Sequence, residues 1–528
     1  MKGVFFSVIL GVSGLAQAGE TIDYSALGKI RQEGFKNSKV METVTYLTES
    51  IGARLTGSPQ MDKANDWSRQ QLADWGLSNA RVETYGPFGR GWEYQSASVH
   101  MVSPRQFTLS ALPKAWTPGT NGPVTGEVML MTAKSKEELD KFKGKLKGKI
   151  LLLSDLREVK PNDKADFSRY DDNSLKELMA FNIPQPEDNS KRKADADAYL
   201  KRLEFAEYTN AFLVNEGVLA TVSISSLDNG ILRVLSGGSR KAGESVGVPS
   251  VVMIAEHYNQ ILRLLDAKQT VSLNLDIKAR FTTEQDVMAA NTIAELPGTS
   301  KKNELVIIGA HMDSWHSGTG ASDNAVGTAV MMEVMRILKA TGLKPKRTVR
   351  IALWSGEEQG LLGSTAYVAK HFAEFPEPSD PVQKKLPRTL RENQPALVLK
   401  PEFRNVSAYY NLDNGGGKIR GIYAQENLAA AEVFKQLLAP MADLGVTIVT
   451  NNNTASTDHA SFDRVGIPGF QFVQDRLDYF PHVWHTHLDG MDHVQAEDLR
   501  QSAVVIASLV YLTAMRDDPI PRKPMISN

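Results

Sequence analysis

Five short stretches of the chain concentrate imidazole and carboxylate groups: Ala310-His311-Met312-Asp313, Ser322-Asp323-Asn324, Ser355-Gly356-Glu357-Glu358, Asn411-Leu412-Asp413-Asn414 and Trp484-His485-Thr486-His487-Leu488-Asp489. A lone Asp after a strand is usually a turn residue or a helix cap, and a lone His is usually a satisfied group. Repetition of such signals at several strand ends is not explained by capping. The chain has no cysteine, so any metal would be held by nitrogen and oxygen, a donor set that suits catalytic zinc, or manganese or cobalt in its place. Two metals about 3.5–4 Å apart need a shared anionic bridge, terminal ligands on each side and an unligated base. Asp323 can bridge, His311 and Asp413 can complete one site, and Glu358 with His485 the other. Glu357 is then the free base, because adjacent glutamates at a strand end point in different directions. Asp313, two residues past His311, is placed to fix that imidazole's tautomer.

The elements that must carry these residues are legible as alternating apolar strands and helices from residue 290 onward. Strands are expected at 305–309, 348–354, 406–412 and 469–473, and helices at 324–340, 364–372, 428–438 and 496–515. A proline-rich insertion, 376–401, interrupts them. This alternation predicts an α/β fold with a mixed, mostly parallel sheet and helices on both faces. Ligands bind such sheets in the crevice beyond the carboxyl ends of the strands, where the acidic and imidazole groups fall. Asp323 opens the helix after the first strand, on a loop carrying Gly318 and Gly320.

Upstream, residues 61–75 have helical spacing through Ala64, Trp67, Leu72 and Trp75, and 80–85 alternate as a strand. Residues 126–131, 149–153, 248–254 and 271–277 read as short strands of a β-rich unit. They surround a charged tract, 157–202, broken by Pro161, Pro184 and Pro186, which reads as solvated surface or a lid. The expected division is a leader at 1–18, the front of the main domain at 19–119, the β-rich insert at 120–280 and the catalytic region at 281–528.

At 528 residues with 60 basic and 61 acidic side chains, net charge −1, the chain lacks the basic surplus of a nucleic-acid binder. The absence of cysteine excludes disulfides and a thiol nucleophile. Lys2, the apolar run 4–15 and Ala16-Gln17-Ala18 have the order of a secretory signal peptide, so the protein is expected to be exported, periplasmic or secreted, beginning at Gly19. No segment approaches the ~20 apolar residues of a membrane span, and no membrane partner is expected.

The motifs resemble those of the co-catalytic di-zinc aminopeptidase family, in its secreted bacterial leucine aminopeptidase and carboxypeptidase Q-like branches. The matching text is Gly309-Ala310-His311-Met312-Asp313, Gly320-Ala321-Ser322-Asp323-Asn324-Ala325-Val326-Gly327, Trp354-Ser355-Gly356-Glu357-Glu358-Gln359-Gly360, Asn411-Leu412-Asp413 and Trp484-His485-Thr486. The resemblance implies two zinc ions per chain on His311, Asp323, Glu358, Asp413 and His485, with Glu357 as the base for a water held between them. The β-rich insert is similar to a protease-associated domain. Thr457-Asp458-His459-Ala460-Ser461-Phe462 resembles the family's Ser-Asp-His-Ala-Ser stretch, which implies that Asp458 and His459 lie near substrate. The tyrosine that some members place just before it is absent, leaving Ser456, His459 or Tyr479 to bind the developing oxyanion. His482, His487 and His493 read as a polar rim. The implied activity is an exopeptidase cutting the first bond of peptides with a free α-amine. Alternatives are a dipeptidase of the carboxypeptidase Q type, a receptor-like binding protein that has lost its ligands, and a one-zinc aminoacyl cyclase. The receptor reading predicts missing ligands, whereas all five and the base are present; the intact His311 and Asp413 pair disfavours the cyclase. The oligomeric state stays open, a homodimer among the options.

Overall fold

A computed structural model of the protein describes residues 19–183, 189–283, 285–392, 395–454 and 456–524. The signal-peptide segment, Pro184 and Pro186 lie outside the described residues. The catalytic region is built on an eight-stranded sheet. Its strands are β1 (Ser78–Gly89), β2 (Val287–Leu296), β3 (Lys301–His311), β4 (Arg347–Trp354), β5 (Val406–Asn411), β6 (Ile419–Tyr423), β7 (Ile448–Thr450) and β8 (Gly469–Gln474). The spatial order is β1-β2-β4-β3-β5-β8-β6-β7. The four central strands, β4, β3, β5 and β8, are mutually parallel, whereas β2 and β6 run against their central neighbours.

The central strands are buried on both faces, so they read as near-continuous apolar runs rather than alternations. On one face pack the helices Val326–Ala340, Ala496–Met515 and Tyr24–Lys36, whose apolar residues join β3, β4 and β5 in the largest core cluster. On the other face Trp354, Tyr367, Tyr409 and Phe462 form an aromatic core with the helices Leu362–His371 and His459–Asp463. Helix Pro59–Asp74 starts where the sequence allows: Ser58 caps it by accepting the Met61 N–H, and Pro59 occupies the first turn. The expected helices 428–438 and 496–515 have these bounds in the structure.

A second eight-stranded sheet follows β1. In spatial order its strands are Phe107–Leu109, Trp92–Ser103, Ser272–Phe281, Val124–Leu130, Lys149–Leu152, Ala220–Ile224, Ser250–Met253 and Ala111–Pro113. It therefore takes in residues upstream of 120, where the sequence suggested the β-rich unit begins. Its first and last long strands pair with each other, Trp92 opposite Phe281, just beyond the Gly89–Val287 pair that ends β1 and β2. One antiparallel ribbon thus passes through both sheets.

The charged tract doubles back onto the catalytic sheet. Ser168 and Leu477 exchange backbone hydrogen bonds of 3.0 and 2.8 Å, and Arg169 reaches Asp475 and Asp498. Helix Asp172–Met179 lays Leu175 on Ile448 and Val473, covering edge strand β7. Among the described residues no helix is long and apolar enough to cross a membrane.

Candidate metal centre

His311 ends β3, Glu357 and Glu358 follow β4, Asp413 follows β5, and His485 lies on the long loop after β8. These four strands are neighbours, so their carboxyl ends bring the ligand types to one crevice. His311 Nδ1 lies 3.0 Å from the Asp313 backbone carbonyl and donates to it, which turns Nε2 toward Asp323 Oδ1 at 3.3 Å and Asp413 Oδ1 at 3.5 Å. The sequence assigned that orienting task to the Asp313 carboxylate. In the structure the carboxylate is farther from Nδ1, at 3.6 Å, and it accepts hydrogen bonds from Thr56 Oγ1 (2.9 Å) and from the N–H groups of Glu357 (3.3 Å) and Glu358 (3.4 Å). Asp313 holds the imidazole through its backbone and the two glutamates through its side chain.

Asp323 faces both ways. Its Oδ1 meets His311, and its Oδ2 lies 3.3 Å from His485 Nε2, which in turn is 2.9 Å from Glu358 Oε2. Two triads result, His311–Asp323–Asp413 and Asp323–Glu358–His485, each compact enough to hold an ion and sharing one carboxylate. The Asp323 loop is held from behind by Asp489, whose carboxylate accepts the N–H groups of Ser322 (2.6 Å) and Asp323 (3.0 Å). Arg54, fully buried, donates to the carbonyls of Leu47, Gly52, Met312, Thr319 and Gly320. Gly320 has φ +63°, and a Cβ there would lie 2.3 Å from Ser314 Cβ, so only glycine fits this turn. His485 is itself left-handed, φ 61°, and stacks at 4.1 Å on Trp484 with Trp315 edge-on at 6.1 Å.

The electrostatics ask for cations. Burial would raise the Asp323 carboxyl, yet the hydrogen bonds from His311 and His485 hold it well below the usual carboxylate range. His485, despite burial, is pushed up to about 9 by Asp323 and Glu358. Burial and the Asp323 charge raise Glu358 to about 8. Glu357 is raised well above the ordinary range, first by burial and then by Asp413, Asp458 and Glu358, with His311 opposing. Glu358 Oε1 is buried without a hydrogen-bond donor among the described residues, and Asp323 Oδ2 faces only His485 Nε2, at 3.3 Å. Buried anionic oxygens left unpaired are costly, and two divalent ions would neutralise them, so the residues present fit such ions.

A cleft of about 1200 Å³ opens over the centre, lined by Asp323, Glu357, Glu358, Asp413 and His485. Tyr479 and Ser456 also line it. Tyr479 is held against Gly415, and its phenol is raised well above its usual value by burial and by Asp323, Asp413 and Glu358. Asp458 and His459 do not line the cleft. Asp458 is buried beside Glu357, and His459 directs Nε2 to the Thr454 carbonyl at 2.9 Å. Of the four candidates near substrate, Ser456 and Tyr479 line the cavity and Asp458 and His459 do not. His487 Nδ1 accepts the Leu232 N–H from the second sheet's unit, and His493 pairs with Asp478, so these two imidazoles are tied into the structure.

This fold and centre define a hydrolase of the two-metal α/β type. Residues 291–510 match the sequence model of Peptidase family M28. The chain is 24% identical to carboxypeptidase Q of Mus musculus over 503 residues, 95% of this chain and 90% of that protein. It is 26% identical to aminopeptidase YwaD of Bacillus subtilis over 51% of this chain and 52% of that protein. Its fold is similar to the crystal structure of a peptidase M28 precursor from Shewanella amazonensis, with TM-score 0.64, 22% identity and coverage of 95% and 98% of the two chains. It is also similar to BSAP, a zinc aminopeptidase from Bacillus subtilis, with TM-score 0.54, 18% identity and coverage of 89% and 93%.

Proposed function

We propose that the protein is an exported zinc exopeptidase that hydrolyses the N-terminal bond of peptides with a free α-amine. The observation that carries this reading is the pair of His/carboxylate triads sharing Asp323, beside Glu357, in an open cleft. His311 and Asp413 would hold one zinc ion, Glu358 and His485 the other, with Asp323 common to both. Zinc so held supplies Lewis acidity toward a carbonyl and lowers the pKa of water. Glu357 takes the proton of the attacking water and passes it to the leaving amine. The Tyr479 hydroxyl donates to the oxyanion as it develops. The acidic end of the cleft receives the free α-amine, and an acylated N-terminus lacks the charge to be held there.

Exhaustive chelation is expected to abolish hydrolysis, and close to two zinc ions per chain to rebind and restore it. Free-amine peptides are expected to lose their first residue while N-acetyl peptides are spared. Full activity without metal, or equal cleavage of N-acetyl peptides, overturns the reading. A narrower version, a dipeptidase, is favoured by the cleft walls: Tyr170 and Leu178 come from the charged tract and Leu386 and Arg391 from the 376–401 insertion. Hydrolysis confined to dipeptides would establish it. Export rests on residues 1–18, and N-terminal sequencing of protein recovered outside the cytoplasm is expected to begin at Gly19.

A further inference from the structure

The cleft carries opposite charges in different parts of its wall. Around the metal centre it is lined by Asp323, Glu357, Glu358 and Asp413; elsewhere Arg388, Arg391, Arg464 and Arg476 line it, the last donating to the Tyr170 hydroxyl at 3.0 Å. Arg388 and Arg391 belong to the 376–401 insertion, and Arg464 follows the helix His459–Asp463. The one carboxylate that lines the cleft beside them is Glu377, and it is shared by Arg391 at 3.0 Å and Arg388 at 3.6 Å. Arg391 is buried and also donates to the Leu386 carbonyl, so its guanidinium is part of the frame.

Arg464 differs. Its guanidinium makes no hydrogen bond and no ion pair among the described residues, although it reaches the cavity. The adjacent Asp463 carboxylate is engaged by Lys523 Nζ at 2.8 Å. Burial disfavours the Arg464 charge, and so does Arg388, while Asp463 favours it. Arg464 thus stands in the cleft wall near Arg388, with no carboxylate or carbonyl engaging its guanidinium among the described residues. A planar guanidinium in that position matches a carboxylate in bidentate fashion.

We propose that Arg464, framed by Arg388 and Arg391, is a carboxylate-binding subsite that selects substrates bearing an anionic group downstream of the scissile bond. The group is either the free C-terminal carboxylate of a very short peptide or an acidic side chain. This rests on the exopeptidase reading for the direction in which the peptide lies: α-amine at the acidic centre, remainder toward the arginines. Such a subsite gives a physical reason for the insertion to reach the cleft at all.

Binding separates the subsite from the chemistry. N-acetyl-Ala-Ala, N-acetyl-Ala-Ala-amide, N-acetyl-Ala-Glu-amide and N-acetyl-Ala-Gln-amide are titrated calorimetrically into the zinc-loaded full chain. At least one carboxylate form is expected to bind tenfold or more tightly than its neutral partner. Preference for N-acetyl-Ala-Ala identifies the terminal carboxylate, and preference for the Glu peptide the side chain. In Arg464→Gln the preference is expected to fall toward one, and Arg464→Lys to keep part of it. Equal binding of charged and neutral forms, or a preference that survives Arg464→Gln, overturns the subsite. Cleavage of free-amine dipeptides and their amides by the same preparation tests the exopeptidase reading separately: its absence leaves the binding comparison intact.

Discussion

The two eight-stranded sheets have the same central device, four adjacent parallel strands, yet only one becomes a metal centre. In the second sheet those strands are Val124–Leu130, Lys149–Leu152, Ala220–Ile224 and Ser250–Met253. Acidic residues follow these strands as well, but among the described residues they form no group with imidazoles that could hold an ion. Asp228 pairs with Arg157, whose guanidinium also takes the Ser225 and Leu227 carbonyls. Glu256 accepts the Gly230 N–H, and the Tyr258 hydroxyl exchanges hydrogen bonds with the Ser154 backbone. In the catalytic sheet Asp323, Glu358 and Asp413 converge on two imidazoles, and Glu358 Oε1 has no hydrogen-bond donor among the described residues. A parallel sheet supplies a crevice; carboxylates and imidazoles converging within it make the site.

The sharpest way to break this comparison is to remove a single proton acceptor. Glu357→Gln keeps the side chain's shape and lies outside both triads, so kcat is expected to fall on the order of 10²–10⁴-fold with zinc content unchanged. Glu358→Gln is expected instead to lower zinc content, measured by elemental analysis. Near-full turnover in Glu357→Gln would reverse the two roles.

A core truncation in the other sheet should act on stability alone. Leu152 is fully buried in the second sheet's core. Leu152→Ala is expected to cost about 2–5 kcal/mol in denaturant unfolding of that unit, with zinc content at native level. Loss of zinc in parallel would mean that the centre depends on the second sheet's packing.

The joint between the sheets responds to pH. His316 is fully buried among Trp92, Tyr94 and Trp315, and donates from Nε2 to the Pro113 carbonyl at 2.8 Å. Burial, partly offset by that carbonyl, lowers its pKa to about 4. Between pH ~6.5 and that value the unfolded chain binds a proton that the folded chain refuses, so stability falls as pH falls, by on the order of 3 kcal/mol across the window. His316→Gln is expected to flatten this slope in denaturant midpoints measured from pH 7 to 4. An unchanged slope would place the acid sensitivity elsewhere.

Much of this was legible because period and spacing survive in the sequence. Helices 428–438 and 496–515 carry unbroken apolar patterns, and His311, Glu357, Glu358 and Asp413 stand at or just past the ends of strands that read as apolar runs. The supports behind them were not legible. Arg54, Thr56 and Asp489 act through hydrogen bonds that span more than 150 positions of sequence, and no local pattern announces such a contact. Buried arginine in an otherwise ordinary Gly-Ala-Arg-Leu loop was the one available signal. Strands β6 and β7 were missed because they are five and three residues long. Trp92–Ser103 alternates more and less buried positions only over 97–102, and such alternation shows that a strand is half-buried without saying which sheet it joins.

The ribbon common to both sheets bears on how the chain finds its fold. Seen from β1 and β2, everything between Gly89 and Val287 is the loop of one hairpin. Closing an unstructured loop of roughly 200 residues costs about 3–4 kcal/mol more than closing a tight turn, since the entropy grows with the logarithm of length. The pairing of Trp92 with Phe281 removes that handicap once the intervening unit is formed, because its two ends then leave side by side. Assembly in which the inner unit matures before the outer hairpin zips is thereby favoured. Pulsed hydrogen exchange is expected to protect Ser272–Phe281 before Val287–Leu296, and the opposite order would count against it.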